Sequence, residues 1–198
     1  MFRDLLAAEF SPYAVLSEHQ LDQLESHYDL LARWNRRMNL TRIADLEETV
    51  RLHYCESLFL ALHLPVGTLR IADLGSGAGF PGIPVAIMRP ESPIDLIESH
   101  QRKAVFLREA SRELPRVRVI AQRAEELSDT YDWVISRGVR PLEVAASGIA
   151  SDLALLLGES DAFKFPGDPL RIPWGENRYL VKFHVERHGQ SGIEPSST

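Results

Sequence analysis

Asp73, Gly75, Gly77, Gly79 and Gly82 fall within fourteen residues of one another's flanks, in the stretch Ile71–Pro84, IADLGSGAGFPGIP. Alternating glycines let a backbone turn sharply and let a ligand come close where a Cβ would collide. Two cofactor chemistries use such a loop. Gly77, Gly79 and Gly82 satisfy G-x-G-x-x-G, the dinucleotide pattern, in which a pyrophosphate rests on a helix N-terminus. The frame Asp73-x-Gly75-x-Gly77-x-Gly79 instead offers an acid to the ammonium of S-adenosylmethionine, which has no phosphates; a pyrophosphate would be repelled there. Pro81 and Pro84 remove N–H donors that a pyrophosphate would need. Glu98 follows about 20 residues later, where an acidic side chain accepts the hydroxyls of a ribose. The loop and the acid together predict a ribose-bearing cofactor, with S-adenosylmethionine favoured over a dinucleotide.

The elements that must position these residues alternate in character. Residues 1–66 read as helices. Ser17 with Gln20 forms a capping box ahead of Leu21, Leu24, Tyr28, Leu31, Trp34 and Met38 at helical spacing. Asp45 with Glu48 opens a second helix that stops near Pro65 and Gly67. From residue 67 to 187, apolar strands alternate with helices: TLRIADLG, PIDLIES, VRVIAQRAEE, DWVISRG, DAFKF and RYLVKFHVER as strands, PGIPVAIM, QRKAVFLREASREL and PLEVAASGIASDLALLLG as helices. This pattern predicts an α/β, Rossmann-like fold, a mostly parallel doubly wound sheet behind a helical cap. The polar residues 188–198 are expected to be a disordered tail.

Composition limits the partners. The chain has 198 residues, 44% of them hydrophobic, and a net charge of −6, which suits one globular domain and disfavours a nonspecific nucleic-acid coat. Yet only Lys103, Lys164 and Lys182 among the 22 basic side chains are lysine. The arginines cluster at Arg33, Arg36, Arg37 and Arg42 and again at Arg102, Arg108 and Arg112. Arginine forks phosphates and stacks on bases, although ordinary solvated helix faces carry arginine too. Cys55 is the only cysteine, so no intrachain disulfide or cysteine-based zinc site can form. No run approaches the ~20 apolar residues of a membrane helix, and the start MFRDLLAAEFSPY lacks a signal peptide's apolar centre. A cytoplasmic monomer without membrane or metal partner is the expectation.

Six motifs in order resemble the RsmG (GidB) family of bacterial methyltransferases, which modify a guanine N7 in 16S ribosomal RNA. WNRRMNLT (34–41), HYCES (53–57), DLGSGAGFPGIP, ESHQRKAVFL, RAEE and ISR carry the resemblance, which runs from about Leu31 to Lys164. It implies S-adenosylmethionine as cofactor and 16S RNA or the small ribosomal subunit as partner. It also implies that Gly75 and Phe80 line the methionine end, that Glu98 holds the ribose, and that Ala124 and Glu125 frame the adenine. Ser76, Gly77, Gly79 and Ser99 complete the cofactor set with Asp73. Arg137 would face both cofactor and reaction centre as the catalytic residue. Arg36, Arg37, His53, Arg102, Lys103 and Lys164 would face RNA, with Trp34, Asn35, Asn39 and Ser57 on the rim or supporting it.

Plainer roles compete at several of these positions. Trp34 lies on the apolar stripe of its helix, where core packing is expected, and Asn39 and Thr41 suit a helix stop. Arg102 and Lys103 open a helix, where cations meet the dipole unfavourably, a hint that they serve a phosphate. The sequence departs from the resemblance at Glu56, where aspartate is usual, at Gly138 and Arg140 after Ser136-Arg137, and in the short segment after Lys164. N7 of guanine keeps a lone pair and carries no proton, so methyl transfer to it needs alignment and no general base. Three rivals remain at this stage: a methyltransferase for a small molecule or protein, a nicotinamide-dependent oxidoreductase, and a non-catalytic RNA-binding protein.

Overall fold

Ser17 accepts a hydrogen bond from the Gln20 N–H, and the Gln20 side chain returns one from the Ser17 N–H, so the capping box forms as expected. It opens α2 (Glu18–Met38), which Asn39 ends with a left-handed φ of 28°. The computed structural model describes residues 1–42 and 45–185; the segment expected to be a disordered tail lies outside the described residues. A helix α1 (Phe2–Phe10) precedes α2. Asp45 accepts from the Glu48 N–H and begins one helical run in three pieces: α3 (Leu46–Thr49), a π-helical turn (Val50–Cys55) and α4 (Glu56–His63). The widened turn could not be read from periodicity, because its residues keep helical spacing.

The chain then alternates β1 (Ile71–Leu74), α5 (Gly82–Met88), β2 (Ile94–Ile97), α6 (Gln101–Ala110), β3 (Val117–Ile120) and β4 (Trp133–Arg137). After them come α7 (Pro141–Ala146), β5 (Asp152–Gly158), α8 (Glu159–Ala162), β6 (Leu170–Arg171) and β7 (Arg178–His184). The sheet order is β3-β2-β1-β4-β5-β7-β6. The first five strands run parallel, and β7 runs antiparallel to both β5 and β6.

Two expectations fail at the C-terminal half of the sheet. The stretch Pro141–Gly158 is not one helix: α7 stops at Ala146, Gly148 takes a φ of 65°, and DLALLLG becomes β5. Leucine and alanine favour helices intrinsically, and a strand buried on both faces shows no alternation to betray it. Its ladders with β4 on one side and β7 on the other decide the matter. DAFKF is not a strand either. The edge of β5 that it would need is taken by β7, and the segment forms α8 and a turn. The short segment after Lys164 leaves β6 only two residues long.

The strands feed two cores. Ile71, Ile135, Ala154 and Leu156 point into the layer with Leu6, Leu24, Tyr54, Ile83 and Phe106, which joins the N-terminal helices, α5 and α6 to one face of the sheet. Leu153, Leu155 and Leu157 point to the other face, with Val144, Ile149 and Ala162. The register aligns Leu74 with Ile97 and Ser136, so Gly75, Glu98 and Arg137 leave their strands at the same level. Ligands of such folds bind at this carboxyl edge.

Candidate functional site

The glycine loop's N–H groups are largely engaged by the protein itself. Gly75 and Ser76 both donate to the Ile97 carbonyl, Gly79 and Phe80 to the Ser76 carbonyl, Gly77 to Glu98 Oε2 at 3.0 Å, and Gly82 to Asp73 Oδ2 at 3.0 Å. Anion sites of the dinucleotide kind need such donors free. Here none of these six is, and a pyrophosphate would find no cradle. The positive φ values of Gly75 (75°), Gly77 (57°) and Gly79 (87°) are what allow this wiring. A Cβ at Gly75 would sit inside Val139, and one at Gly82 would press on Leu96 and Asp73.

Asp73 is fully buried, and Ser76, also buried, bonds its main-chain carbonyl through Oγ at 2.9 Å. Asp73 Oδ1 has no partner. Burial raises its carboxyl from 3.8 to about 7, against the pull of its hydrogen bonds and of Arg137. A carboxyl that is more basic folded than unfolded binds more protons in the folded state. Its contribution favours folding at acid pH and is lost as pH rises through about 7. Thermal unfolding of wild type and Asp73→Asn at pH 4 to 7 should therefore show wild type losing ground to the variant as pH rises. A constant gap would contradict the raised value.

Glu98 directly follows β2 as a buried acidic side chain. Oε2 accepts from Gly77, and Oε1 accepts from the His100 N–H at 2.8 Å. Each oxygen retains a second lone pair. Glu98 lines a cavity of about 410 Å³ together with Gly75, Ser99, Ala124, Glu125 and Val139, within the ~300–1,000 Å³ typical of small-ligand pockets. Three carboxylates, Glu98, Glu125 and Glu143, line it against one cation, Arg123, whose Nη1 lies 3.8 Å from Glu125. This charge pattern suits hydroxyls and ammonium groups and opposes phosphates.

Arg137 leaves β4 toward the helical layer. Its Nη1 donates to the Leu52 carbonyl of the π-helical turn at 2.6 Å, and its guanidinium lies 5.3 Å from the Phe80 ring centre. Burial lowers it to about 10, so it stays a cation at neutral pH. Phe80 is buried, stacked on His53 with centroids 4.7 Å apart. His53 donates from Nδ1 to the Leu52 carbonyl and accepts at Nε2 from the Thr41 hydroxyl, while Ser57 Oγ donates to the His53 carbonyl. Burial, helped by Arg137, holds His53 down at about 3. It is a neutral interior group, away from any surface that RNA could touch directly. Asn35 ties down the same loop, exchanging bonds with the Thr41 N–H and carbonyl at 3.0 Å each.

His27 and Tyr54 were not legible as site residues. His27 Nε2 donates to the Ala78 carbonyl at 3.0 Å, and the Tyr54 hydroxyl donates to His27 Nδ1 at 2.9 Å. Burial lowers His27 to about 4 and keeps it neutral for this relay. The helical layer thereby grips the glycine loop from behind. A lone histidine on an apolar helix face gives no sequence signal of such a role.

The basic candidates separate in space. Arg36, Arg37 and Arg102 meet Arg33 in a groove of about 500 Å³ between α2 and α6, floored by Leu30, Trp34 and Met38. None of these four arginines has an ion-pair partner among the described residues. Trp34 packs edge-on against Phe106 and donates to Glu109 at 3.2 Å, so it is both core and groove. Lys103 is partly buried beside them on α6. Lys164 stands apart: it bonds Asp161 at 2.9 Å next to α8, which packs on β5 and β7, whereas α6 packs on β3. Of the expected cofactor set, Gly75, Glu98, Ser99, Ala124 and Glu125 line the cavity, while Asp73, Ser76, Gly77, Gly79, Phe80 and Arg137 do not. Among the described residues no cluster of His, Cys, Asp and Glu could hold a metal ion, and no helix is long and apolar enough to cross a membrane.

Comparisons agree with this geometry. Two solved structures share the fold: magnesium protoporphyrin IX methyltransferase (ChlM) from Synechocystis PCC 6803 with bound SAM, and a ribosomal protein L11 methylase from Lactobacillus delbrueckii subsp. bulgaricus. The first has a TM-score of 0.54 at 14% identity, over 85% of this chain and 97% of that one. The second has a TM-score of 0.54 at 8% identity, over 71% of this chain and 79% of that one. Among sequences, Ribosomal RNA small subunit methyltransferase G of Halorhodospira halophila is 42% identical over 143 residues, 69% of this chain and 68% of that protein. The protein of the same name from Chloroflexus aggregans is 39% identical over 137 residues, 65% of this chain and only 58% of its own length. The model of the GidB family, rRNA small subunit methyltransferase G, matches residues 20–159. With its glycine loop, Glu98 and Arg137 at one carboxyl edge and that match across most of its length, this chain belongs to the GidB family.

Proposed function

We propose that the protein transfers a methyl group from S-adenosylmethionine to N7 of a guanine in the 16S RNA of the small ribosomal subunit, acting as a cytoplasmic monomer. The carrying observation is the carboxylate-lined cavity at the sheet edge, beside a loop whose Gly75, Ser76, Gly77, Gly79, Phe80 and Gly82 N–H groups are all engaged within the protein and not offered to a phosphate. The residues fit the cofactor: Glu98 retains acceptor capacity for a ribose, and the buried Asp73 braces the loop through its bond from the Gly82 N–H. S-adenosylmethionine supplies an electrophilic methyl on a sulfonium. Gly75, Val139, Ala124 and Glu125 line the cavity that would hold it, and a Cβ at Gly75 would collide with Val139. Arg137, fixed by the Leu52 carbonyl and the Phe80 face, orients the reacting groups and binds anionic atoms near them. Nothing has to remove a proton, because N7 has none, and no metal is needed to activate it.

In this reading residues 1–66 form a cap that contributes Arg33, Arg36 and Arg37 to the RNA groove, and residues 67–187 form the catalytic core that contributes Arg102. Unpaired, exposed arginines in a chain of net charge −6 mark the groove as the seat of RNA phosphates. Arg36→Ala with Arg102→Ala should weaken RNA binding about uniformly across sequences and lower the salt slope by ~1 to 2. Filter binding at several salt concentrations reads both, and an unchanged slope would remove the groove from the RNA path. The function itself is tested by labelled methyl transfer to 16S RNA and small subunits that lack the modification, with strand cleavage diagnostic of N7-methylguanine. Label at one guanine supports the proposal. Cofactor binding without label on any RNA would redirect the search to small molecules and proteins.

A further inference from the structure

We infer that Arg178, the first residue of β7, is a positioning residue for Arg137 and acts through Glu56; this rests on the role given to Arg137 above. Arg178 lies beyond residues 20–159 matched by the family model. Glu56 opens α4 and is completely buried. Arg178 grips it as a planar fork, Nε to Oε1 and Nη2 to Oε2, both at 2.9 Å. Arg137 Nη1 stays 3.9 Å from Glu56 Oε2 and donates instead to the Leu52 carbonyl at 2.6 Å.

Two guanidiniums thus compete for one buried carboxylate, and the arrangement depends on which of them wins it. A buried carboxylate without a partner is strongly unfavourable. If Arg178 released Glu56, Arg137 would be the cation left to neutralise it. The bidentate fork would then draw Arg137 off the Leu52 carbonyl and away from the Phe80 ring. Arg178 prevents this by occupying both oxygens, which leaves Arg137 held by the Leu52 carbonyl and the Phe80 ring.

The segment that presents Arg178 is pinned to the same turn. A Cβ on Gly175, in the turn before β7, would stand 2.8 Å from the Leu52 side chain and 3.0 Å from Arg178 Cγ. Trp174 donates to Glu9 of α1 at 3.0 Å and stacks against Phe10. The β6–β7 hairpin, α1 and the π-helical turn therefore set the position of the fork together. The C-terminal hairpin is coupled in this way to the transfer site, although none of its residues reaches the cofactor cavity.

The test compares wild type, Arg178→Gln, Arg178→Lys and the double variant Glu56→Gln/Arg178→Gln. Each is measured for S-adenosylhomocysteine affinity by calorimetry, kcat and KM for methyl transfer to small-subunit RNA, and thermal unfolding. Arg178→Gln should lower kcat by about 10-fold or more, because a small displacement of a positioned group has effects of that order. The double variant has no carboxylate to capture Arg137, so it should regain most of that loss even if its unfolding temperature does not recover. A purely structural Arg178 would show no such rescue, and activity would follow stability. If Arg178→Gln does not fold, Arg178→Lys decides, since its point charge satisfies Glu56 without the fork and should still lower kcat. Wild-type kcat in a folded single variant, or a double variant no better than Arg178→Gln, overturns the inference. Absence of S-adenosylhomocysteine binding and methyl transfer in wild type would instead overturn the function on which it rests.

Discussion

Replacing Glu98 by alanine is expected to weaken S-adenosylhomocysteine binding by about 100-fold or more. The carboxylate lies just after β2 in the cavity lining and accepts one backbone N–H on each oxygen, from Gly77 and from His100. Those two bonds aim the remaining lone pairs into the cavity. Hydrogen bonds to a charged group contribute roughly 1.5–3 kcal/mol each, so two bonds to a ribose come to about 3 kcal/mol, or two powers of ten in affinity. Glu98→Gln should be nearly as weak. Its amide nitrogen would have to face one of the two N–H donors, which turns an acceptor into a clash. Calorimetric titration measures both variants, and thermal unfolding shows whether the loop survives. An affinity within a few-fold of wild type in folded Glu98→Ala would mean that the ribose lies elsewhere.

Arg137→Ala should leave a folded protein that transfers methyl groups at least ~100-fold more slowly, the penalty expected when a positioning contact at the reaction centre is lost. Folding should survive because the truncation leaves no buried charge unpaired. Glu56 keeps both bonds to Arg178 at 2.9 Å, and Arg137 stands outside that fork at 3.9 Å. What disappears is the cation over Phe80 and the bond to the Leu52 carbonyl. Arg137→Lys should not restore the rate. An ammonium cannot lie flat over the ring and reach the carbonyl in one geometry. Single-turnover assays with labelled cofactor read this directly. A wild-type rate in a folded Arg137→Ala protein would remove Arg137 from the reaction.

Much of the molecule was legible before folding was considered. The glycine spacing and Glu98 located the loop and the acid that lines the cavity beside it, because backbone freedom and charge are properties of residue type and local spacing. The capping residues Ser17, Gln20, Asp45 and Glu48 announced their helices for the same reason: a cap bond spans three residues. Tertiary structure decided the rest. DLALLLG has the composition of a helix and became a central strand because β4 and β7 offered ladders on both sides, and no local signal carries that information. His53 changed from a surface candidate to an interior one once the Phe80 ring stacked on it. The arginines of α2 and α6, 65 residues apart at Arg37 and Arg102, became one groove only through helix packing. The fork between Glu56 and Arg178 joins residues 122 positions apart. Sequence spacing determines what neighbouring residues can do, whereas burial and long-range pairing decide which of those capacities remain available.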